Sequence, residues 1–337
     1  MKAGFICANT YSDPRAWTSF APPRGLYDAE VGRRTLATAL EQARTADALG
    51  FDYVSVSEHH ATPLMCSPNG SLLAGALTQI VRQARIAWLG PIVSINNPLR
   101  VAEEIAMLDQ LSGGRLTVFL LRGTPSELLI YNNIDPAESR AITQEASLLI
   151  RKALGESEPF AWKGDHFDFA RVSVWPGSTQ KPHPPLFASG MSHDSVRFAA
   201  RNRFPLAISF YPTPMVAELT KLYRDECDAA GWAPGADDIL YRGFIAVGET
   251  DAQAAELAPR FAPQAFGNAK EDVGKGFGSL QFCGRPETVI AQIEAFQKAT
   301  GAGILDLGFG GGMTHEGRTL ESIRRFGTQV LPRIRGF

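Results

Sequence analysis

Residues 97–123 read NPLRVAEEIAMLDQLSGGRLTVFLLRG. Pro98 stands where a helix opens, and Val101, Ile105 and Leu108 recur along one helical face. Ser112-Gly113-Gly114 stops that helix, and Leu116–Leu121 follows as an apolar strand. One helix leading directly into one strand is the unit that the rest of the chain repeats.

Upstream, Phe5-Ile6-Cys7 lies in a first strand, and residues 30–49 form a helix with Leu36, Leu40 and Ala43 on one face, ended by Gly50. Tyr53–Ser57 is a strand, 70–83 a helix and Ile86–Ser94 a strand. Downstream come a helix over 138–154, a strand at Leu186–Ser189, a helix beginning at Ser192 and a strand at Leu206–Phe210. A helix over 213–230, a strand at Ile239–Val247 and a helix at Ala252–Phe261 follow. Pro286 then opens a helix carrying Val289, Ile293 and Phe296, Ile304–Phe309 is the last strand, and Leu320, Ile323, Phe326 and Val330 mark the last helix. Eight strand–helix alternations predict an α/β fold, a (β/α)8 TIM barrel with loop insertions at the C-terminal face of the strands. A doubly wound open sheet is the alternative. No repeat or linker divides the chain, so residues 1–337 read as a single barrel domain.

Three segments interrupt the rhythm. Residues 9–29 follow the first strand and are expected to wall the functional end of the barrel. Residues 155–185 read as an excursion rich in Gly, Pro and aromatics, and Gly- and Lys-rich 264–285 as a lid. In 9–29, Trp17, Phe20 and Tyr27 fit an apolar or ring-bearing ligand, or simply pack the loop.

The chain has 337 residues, 45% hydrophobic and 20% charged, with a formal net charge of −2. That balance speaks against nucleic acid or an anionic membrane as a partner. Cys7, Cys66, Cys227 and Cys283 are scattered without metal or redox spacing, which fits reduced thiols. The N-terminal stretch lacks the pattern of a secretory signal and no apolar run reaches the length of a membrane span, so a cytoplasmic location is expected. Leu72, Leu73, Leu77 and Ile80 give one helix more apolar side chains than barrel cover needs, which fits a dimer face.

Chemistry concentrates just after the strands. Glu58-His59-His60 follows the second strand. Adjacent histidines cannot face the same way on a strand, so one points into the barrel mouth and one away. Histidine carries protons at neutral pH, and a neighbouring carboxylate fixes its tautomer. Adjacent histidines chelate poorly, and His166, His183, His193 and His315 add no ligand spacing, so no metal is expected. Leu121-Arg122-Gly123 follows the fourth strand and offers a guanidinium to a phosphate. Ser189-Gly190-Met191-Ser192-His193-Asp194-Ser195 runs from a strand into a helix, with Ser192 as N-cap and Ser195 in the first turn, an anion site or an ordinary cap. Gly90, between Leu89 and Pro91, marks a close backbone approach or a bulge.

Taken together, ADALGFDYVSVSEHH (46–60), residues 97–123 and the tail CGRPETVIAQIEAFQKATGAGILDLGFGGG (283–312) resemble the bacterial luciferase-like flavin-dependent monooxygenase family, the luciferase α-subunit in particular. The likeness covers nearly the whole chain, with gaps. It implies FMN at the strand C-termini, supplied as FMNH2 by a separate NAD(P)H:flavin reductase. It also implies oxygen addition to flavin C4a, giving a peroxyflavin that oxygenates a small organic substrate, and a homodimer. It makes His59 the catalytic histidine, flanked by Glu58 and His60. It places Gly90 under the isoalloxazine ring with a cis peptide from Leu89, and Leu121 and Gly123 beside the ring. It gives Arg122 and Arg140 to the phosphate with Ser192 and Ser195, in the turn of Ser189, Gly190 and Met191. Leu121 and Met191 depart from the luciferase, which has a cysteine and a glutamate there; the loop after Arg122 differs, and 9–29 is longer. The departures do not point to long-chain aldehydes or light emission. An F420-dependent oxidoreductase and a flavin-binding protein without turnover are the competing readings. The absence of G-x-G-x-x-G agrees with an external reductase.

Overall fold

A computed structural model describes residues 1–17, 19–131, 134–257, 280–309 and 316–337. Its strands are β1 (Lys2–Ile6), β2 (Tyr53–Ser57), β3 (Arg85–Ile92), β4 (Leu116–Leu121), β5 (Phe160–Lys163), β6 (Asp168–Val172), β7 (Leu186–Ser189), β8 (Leu206–Ser209), β9 (Ile239–Val247), β10 (Leu280–Gly284) and β11 (Ile304–Gly308). The principal helices are α1 (Ala29–Ala48), α2 (Gly70–Thr78), α3 (Pro98–Leu111), α4 (Pro125–Ile130), α5 (Pro136–Gly155), α6 (His193–Arg201), α7 (Thr213–Ala229), α8 (Asp251–Ala255), α9 (Pro286–Thr300) and α10 (Glu316–Arg325).

Strands β1, β2, β3, β4, β7, β8, β9 and β11 pair in that order, all parallel, and β11 returns to β1. The ring is closed, which makes it a (β/α)8 barrel and excludes the open sheet. β10 lies outside the ring, parallel to the end of β9. The helices start where side chains satisfy free backbone N–H groups: Asp28 caps α1, Asn97 caps α3 ahead of Pro98, and Asp135 caps α5. α3 gives way to β4 through Gly113 and Gly114, both at positive φ.

The expected helix over 70–83 is shorter, ending at Thr78. The buried Asp47 carboxylate takes the backbone N–H groups of Arg82, Gln83 and Ala84 and turns the chain into β3 instead. Segment 155–185 contains the antiparallel β5–β6 hairpin. Of the expected lid over 264–285, residues 280–284 form β10, and 264–279 lie outside the described residues. The helix read over Ala252–Phe261 is shorter, ending at Ala255 with Glu256 as its C-cap, and 258–261 lie outside the described residues. On α2, Leu77 is fully buried against the barrel, whereas Leu72 is 75% exposed.

Side chains on a strand alternate, so every second residue enters the barrel. Tyr53, Leu240 and Ile304 lie in one apolar interior cluster with Phe119 and Phe187, whose rings stack at 4.7 Å. Two residues further along the same strands come Ser55, Arg242 and Asp306, a buried polar layer. Two further again come Ser57, Phe244 and Gly308. The barrel is therefore plugged with apolar side chains at one end, polar above the plug, and open at the strand C-termini.

Candidate active site

At that C-terminal end lies a cavity of about 510 Å³. The first loop supplies part of its wall: Thr10 and Phe20 line it. Trp17 is buried instead and donates from its indole N–H to the Tyr11 carbonyl at 2.8 Å, and Tyr27 stacks on Tyr11. Of the three loop aromatics, Phe20 alone faces the cavity.

The two histidines after β2 do diverge. His59 lines the cavity, and His60 is buried behind it. His60 Nε2 lies 3.2 Å from Glu58 Oε1, and its Nδ1 lies 3.0 Å from the Tyr131 hydroxyl. A carboxylate only accepts, so Nε2 carries a proton and donates it to Glu58, while Nδ1 shares a hydrogen bond with the Tyr131 hydroxyl. Glu58 Oε1 also accepts from Ile92 N at 3.3 Å and Asn96 Nδ2 at 3.2 Å, which ties the start of this loop to the end of β3.

His59 Nδ1 lies 3.2 Å from Glu127 Oε1. Glu127 sits in the first turn of α4, where it and Thr124 form a capping box. Its Oε1 also accepts from the His60 backbone N–H at 3.0 Å, and its Oε2 accepts from Thr124 N at 3.0 Å and Thr124 Oγ1 at 2.8 Å. Burial pushes this carboxyl upward, but the His59 ring and the backbone donors of Thr124 and His60 outweigh it and hold it down at about 2. Glu127 is thus a fixed anion that receives Nδ1–H and leaves His59 Nε2 as the free, basic nitrogen.

A second cluster lies at the ends of β4 and β7. Among the described residues, the Arg122 guanidinium has no hydrogen bond or ion pair, and it lines the cavity. The N-terminus of α6 lines the same cavity, and there Ser192 and Ser195 form a capping box with their hydroxyls 3.1 Å apart. Arg140, Thr143, Gln144 and Ser147 recur on one face of α5 and line the cavity too. The Arg140 guanidinium is paired with Asp194, in the first turn of α6. Leu121, Gly123, Ser189 and Met191 line the cavity, whereas Leu89, Gly90 and Gly190 are not part of its lining. The Leu89–Gly90 peptide is cis, as the resemblance implied. A Cβ on Gly90 would stand 1.6 Å from the Phe119 carbonyl oxygen, so no other residue fits there.

The sequence reading missed Glu127, Arg242, Asp306 and, on the α5 face, every residue but Arg140. Glu127 had a signal, the T-P-S-E capping-box pattern after the fourth strand. Arg242 and Asp306 had one as well: each interrupts an otherwise apolar strand, ILYRGFIAV and ILDLG. Among the described residues, no group of three or more His, Cys, Asp or Glu side chains could hold a metal ion, and no helix is long and apolar enough to cross a membrane.

The family model for luciferase-like monooxygenases matches residues 16–303. The chain belongs to the luciferase-like monooxygenase family. It is 34% identical over 199 residues to the uncharacterized protein y4wF of Sinorhizobium fredii, a match that spans 59% of this chain and 58% of that protein. It is 24% identical to the alkanal monooxygenase alpha chain of Aliivibrio fischeri, over 98% of each chain. Among solved structures, the FMN complex of the oxygenating constituent of 3,6-diketocamphane monooxygenase from Pseudomonas putida has a TM-score of 0.75 at 21% identity, covering 98% of each chain. An F420-dependent secondary alcohol dehydrogenase has a TM-score of 0.76 at 19% identity, covering 99% of this chain and 98% of the other. As a luciferase-like monooxygenase the chain is an enzyme by family, as expected, and the barrel fold is shared across these structures.

Proposed function

We propose that this enzyme is an FMN-dependent monooxygenase. It takes FMNH2 from a separate NAD(P)H:flavin reductase and uses O2 to oxygenate a small organic substrate. The observation that carries the reading is one cavity lined by a guanidinium without a partner among the described residues, Arg122, by the N-terminus of α6, and by a histidine whose tautomer is fixed, His59 with Glu127. A phosphate monoester fits the first: Arg122 supplies a fork of donors, α6 its free backbone N–H groups, and Ser192 and Ser195 their hydroxyls. Arg140 joins them by turning from Asp194 toward the phosphate. Leu121 and Gly123 form the close wall for the flavin ring, backed by Leu89 and Gly90 behind the lining, and Ser189 and Met191, joined by Gly190, shape the turn beneath the phosphate.

When bound, reduced flavin supplies the electrons that activate dioxygen. The chain's own residues do the rest. His59 Nε2 holds or releases a proton at the cavity edge, and Glu127 keeps that nitrogen basic by accepting from Nδ1. Glu58 and His60 brace the loop that carries His59. Phe20, Leu64 and Met65 give the loop side of the cavity apolar walls that keep water out. The barrel acts as one unit over the chain. The exposed apolar side chains Leu72 on α2 and Met107 and Leu111 on α3 pair it into a homodimer.

Hydride transfer with F420 is the competing chemistry, since this fold serves both cofactors. Oxygen uptake decides between them. The protein should consume O2 with FMNH2 and a panel of small carbonyl and aromatic substrates and yield a product heavier by one oxygen atom. Substrate reduction or oxidation with F420, and no oxygen-containing product with FMNH2, would overturn the reading.

A further inference from the structure

The floor of the cavity is charged. Arg242 is the second inward residue of β9, across the barrel from β3, and it is 6% exposed. Its guanidinium is poorly satisfied. Nη2 donates to Ser57 Oγ at 2.6 Å, and Nε is buried with no hydrogen-bond partner among the described residues, 3.6 Å from Asp306 Oδ2. Asp306 gives its oxygens to Ser55 Oγ, at 2.9 and 3.0 Å, rather than to the guanidinium. Burial pushes the Asp306 carboxyl up to about 6, against the pull of Arg242 and the Ser55 hydrogen bond. The surroundings are otherwise apolar: the Arg242 guanidinium lies 5.6 Å from the centroid of the Phe210 ring, and Phe210 stacks on Phe244 at 4.9 Å. All three side chains line the cavity.

A guanidinium is costly to bury, and one left short of acceptors is costlier. Nothing in the phosphate site needs it, because Arg122 and α6 lie on other strands of the ring. We propose that Arg242 is the anchor of the substrate compartment, and that the substrate is an organic acid: an apolar ring or short chain carrying a carboxylate or comparable oxyanion. The oxyanion docks on Arg242, and the apolar body lies along Phe210 and Phe244. Glu58, the carboxylate at the end of β2 on the same cavity, repels the charged end and so directs the rest of the molecule toward His59. This assignment rests on the monooxygenase reading, which places the cofactor phosphate at Arg122 and leaves the floor to the substrate.

Benzoate and benzamide are the probes, identical in shape apart from the charge, titrated by calorimetry into the protein loaded with oxidised FMN. Saturating FMN fills the Arg122 site, so any remaining preference for an anion reports on the floor. Benzoate should bind about tenfold or more tighter than benzamide. R242M should erase that preference while FMN affinity stays within about twofold of wild type. Should R242M fail to fold with Asp306 left unpaired, R242M/D306N removes both charges and must erase the preference as well. Benzoate binding no tighter than benzamide, or a preference that survives either variant, overturns the inference and leaves the monooxygenase reading standing. A protein that binds no FMN overturns both.

Discussion

Replacing Glu127 by glutamine removes one charge from the middle of the His59 support and keeps its size. The carboxyl is held at about 2 against an ordinary 4.5. That difference corresponds to about 3 kcal/mol of folding stability at neutral pH. Part of it depends on a protonated His59, so about 2–3 kcal/mol is the expected loss in Glu127→Gln at pH 7. The amide makes matters worse, because its NH2 must face either the Thr124 N–H or the donors on His59 and His60. The sign of the pH dependence follows from a depressed folded-state pKa. The carboxylate's contribution is fully present above 4.5 and is lost as pH falls toward 2. Urea unfolding of both proteins at several pH values between 7 and 3 reads this directly. The gap between them should be widest near pH 7 and should close progressively below pH 4.5. A gap that is absent, or that does not change with pH, would show that Glu127 is not held as an anion and would remove the argument for the His59 tautomer.

His59→Ala should bind FMN as well as the wild type, because the phosphate anchors lie on other loops, and should lose about 10²–10⁴ in oxygenation rate, with FMNH2 spent as hydrogen peroxide; product and peroxide per FMNH2 measure it. Gly90→Ala puts a methyl group onto the Phe119 carbonyl and should destabilise the barrel by about 1–3 kcal/mol, read as a lower urea midpoint. Leu72→Glu places a charge on the exposed apolar face of α2 and should convert the dimer to monomer in light scattering at micromolar concentration, with the cavity untouched; a wild-type protein that is already monomeric contradicts the homodimer.

The barrel was legible because its strands are buried on both sides. β2, β9 and β11 are buried along their whole length and read as apolar or small-residue runs interrupted only by Arg242 and Asp306, and Pro98 and the Ser192 cap mark helix starts in the sequence itself. The β5–β6 hairpin was not legible, since its strands pair only with each other and are half-buried or exposed except at Val172. The divergence of His59 and His60 followed from strand geometry alone. Their partners did not: Glu127 and Tyr131 arrive from α4 and its end, some seventy residues later, and sequence spacing carries no record of that meeting. Arg242 and Asp306 stand opposite each other on the directly paired strands β9 and β11, a pairing that sequence spacing does not record. Arg140 was read as a phosphate ligand, and its pairing with Asp194 depends on α5 and α6 lying side by side above the barrel.

The central claim is that this cavity holds FMN with its phosphate between Arg122 and the N-terminus of α6. Equilibrium titration of FMN and of F420, followed by quenching of cofactor fluorescence, tests it most directly in the wild type and in Arg122→Ala. The account predicts saturable FMN binding, weaker F420 binding, and a loss of FMN affinity of about 10- to 150-fold in the variant, the worth of one charge-assisted contact. Tighter binding of F420, or FMN affinity unchanged by the loss of Arg122, would contradict it.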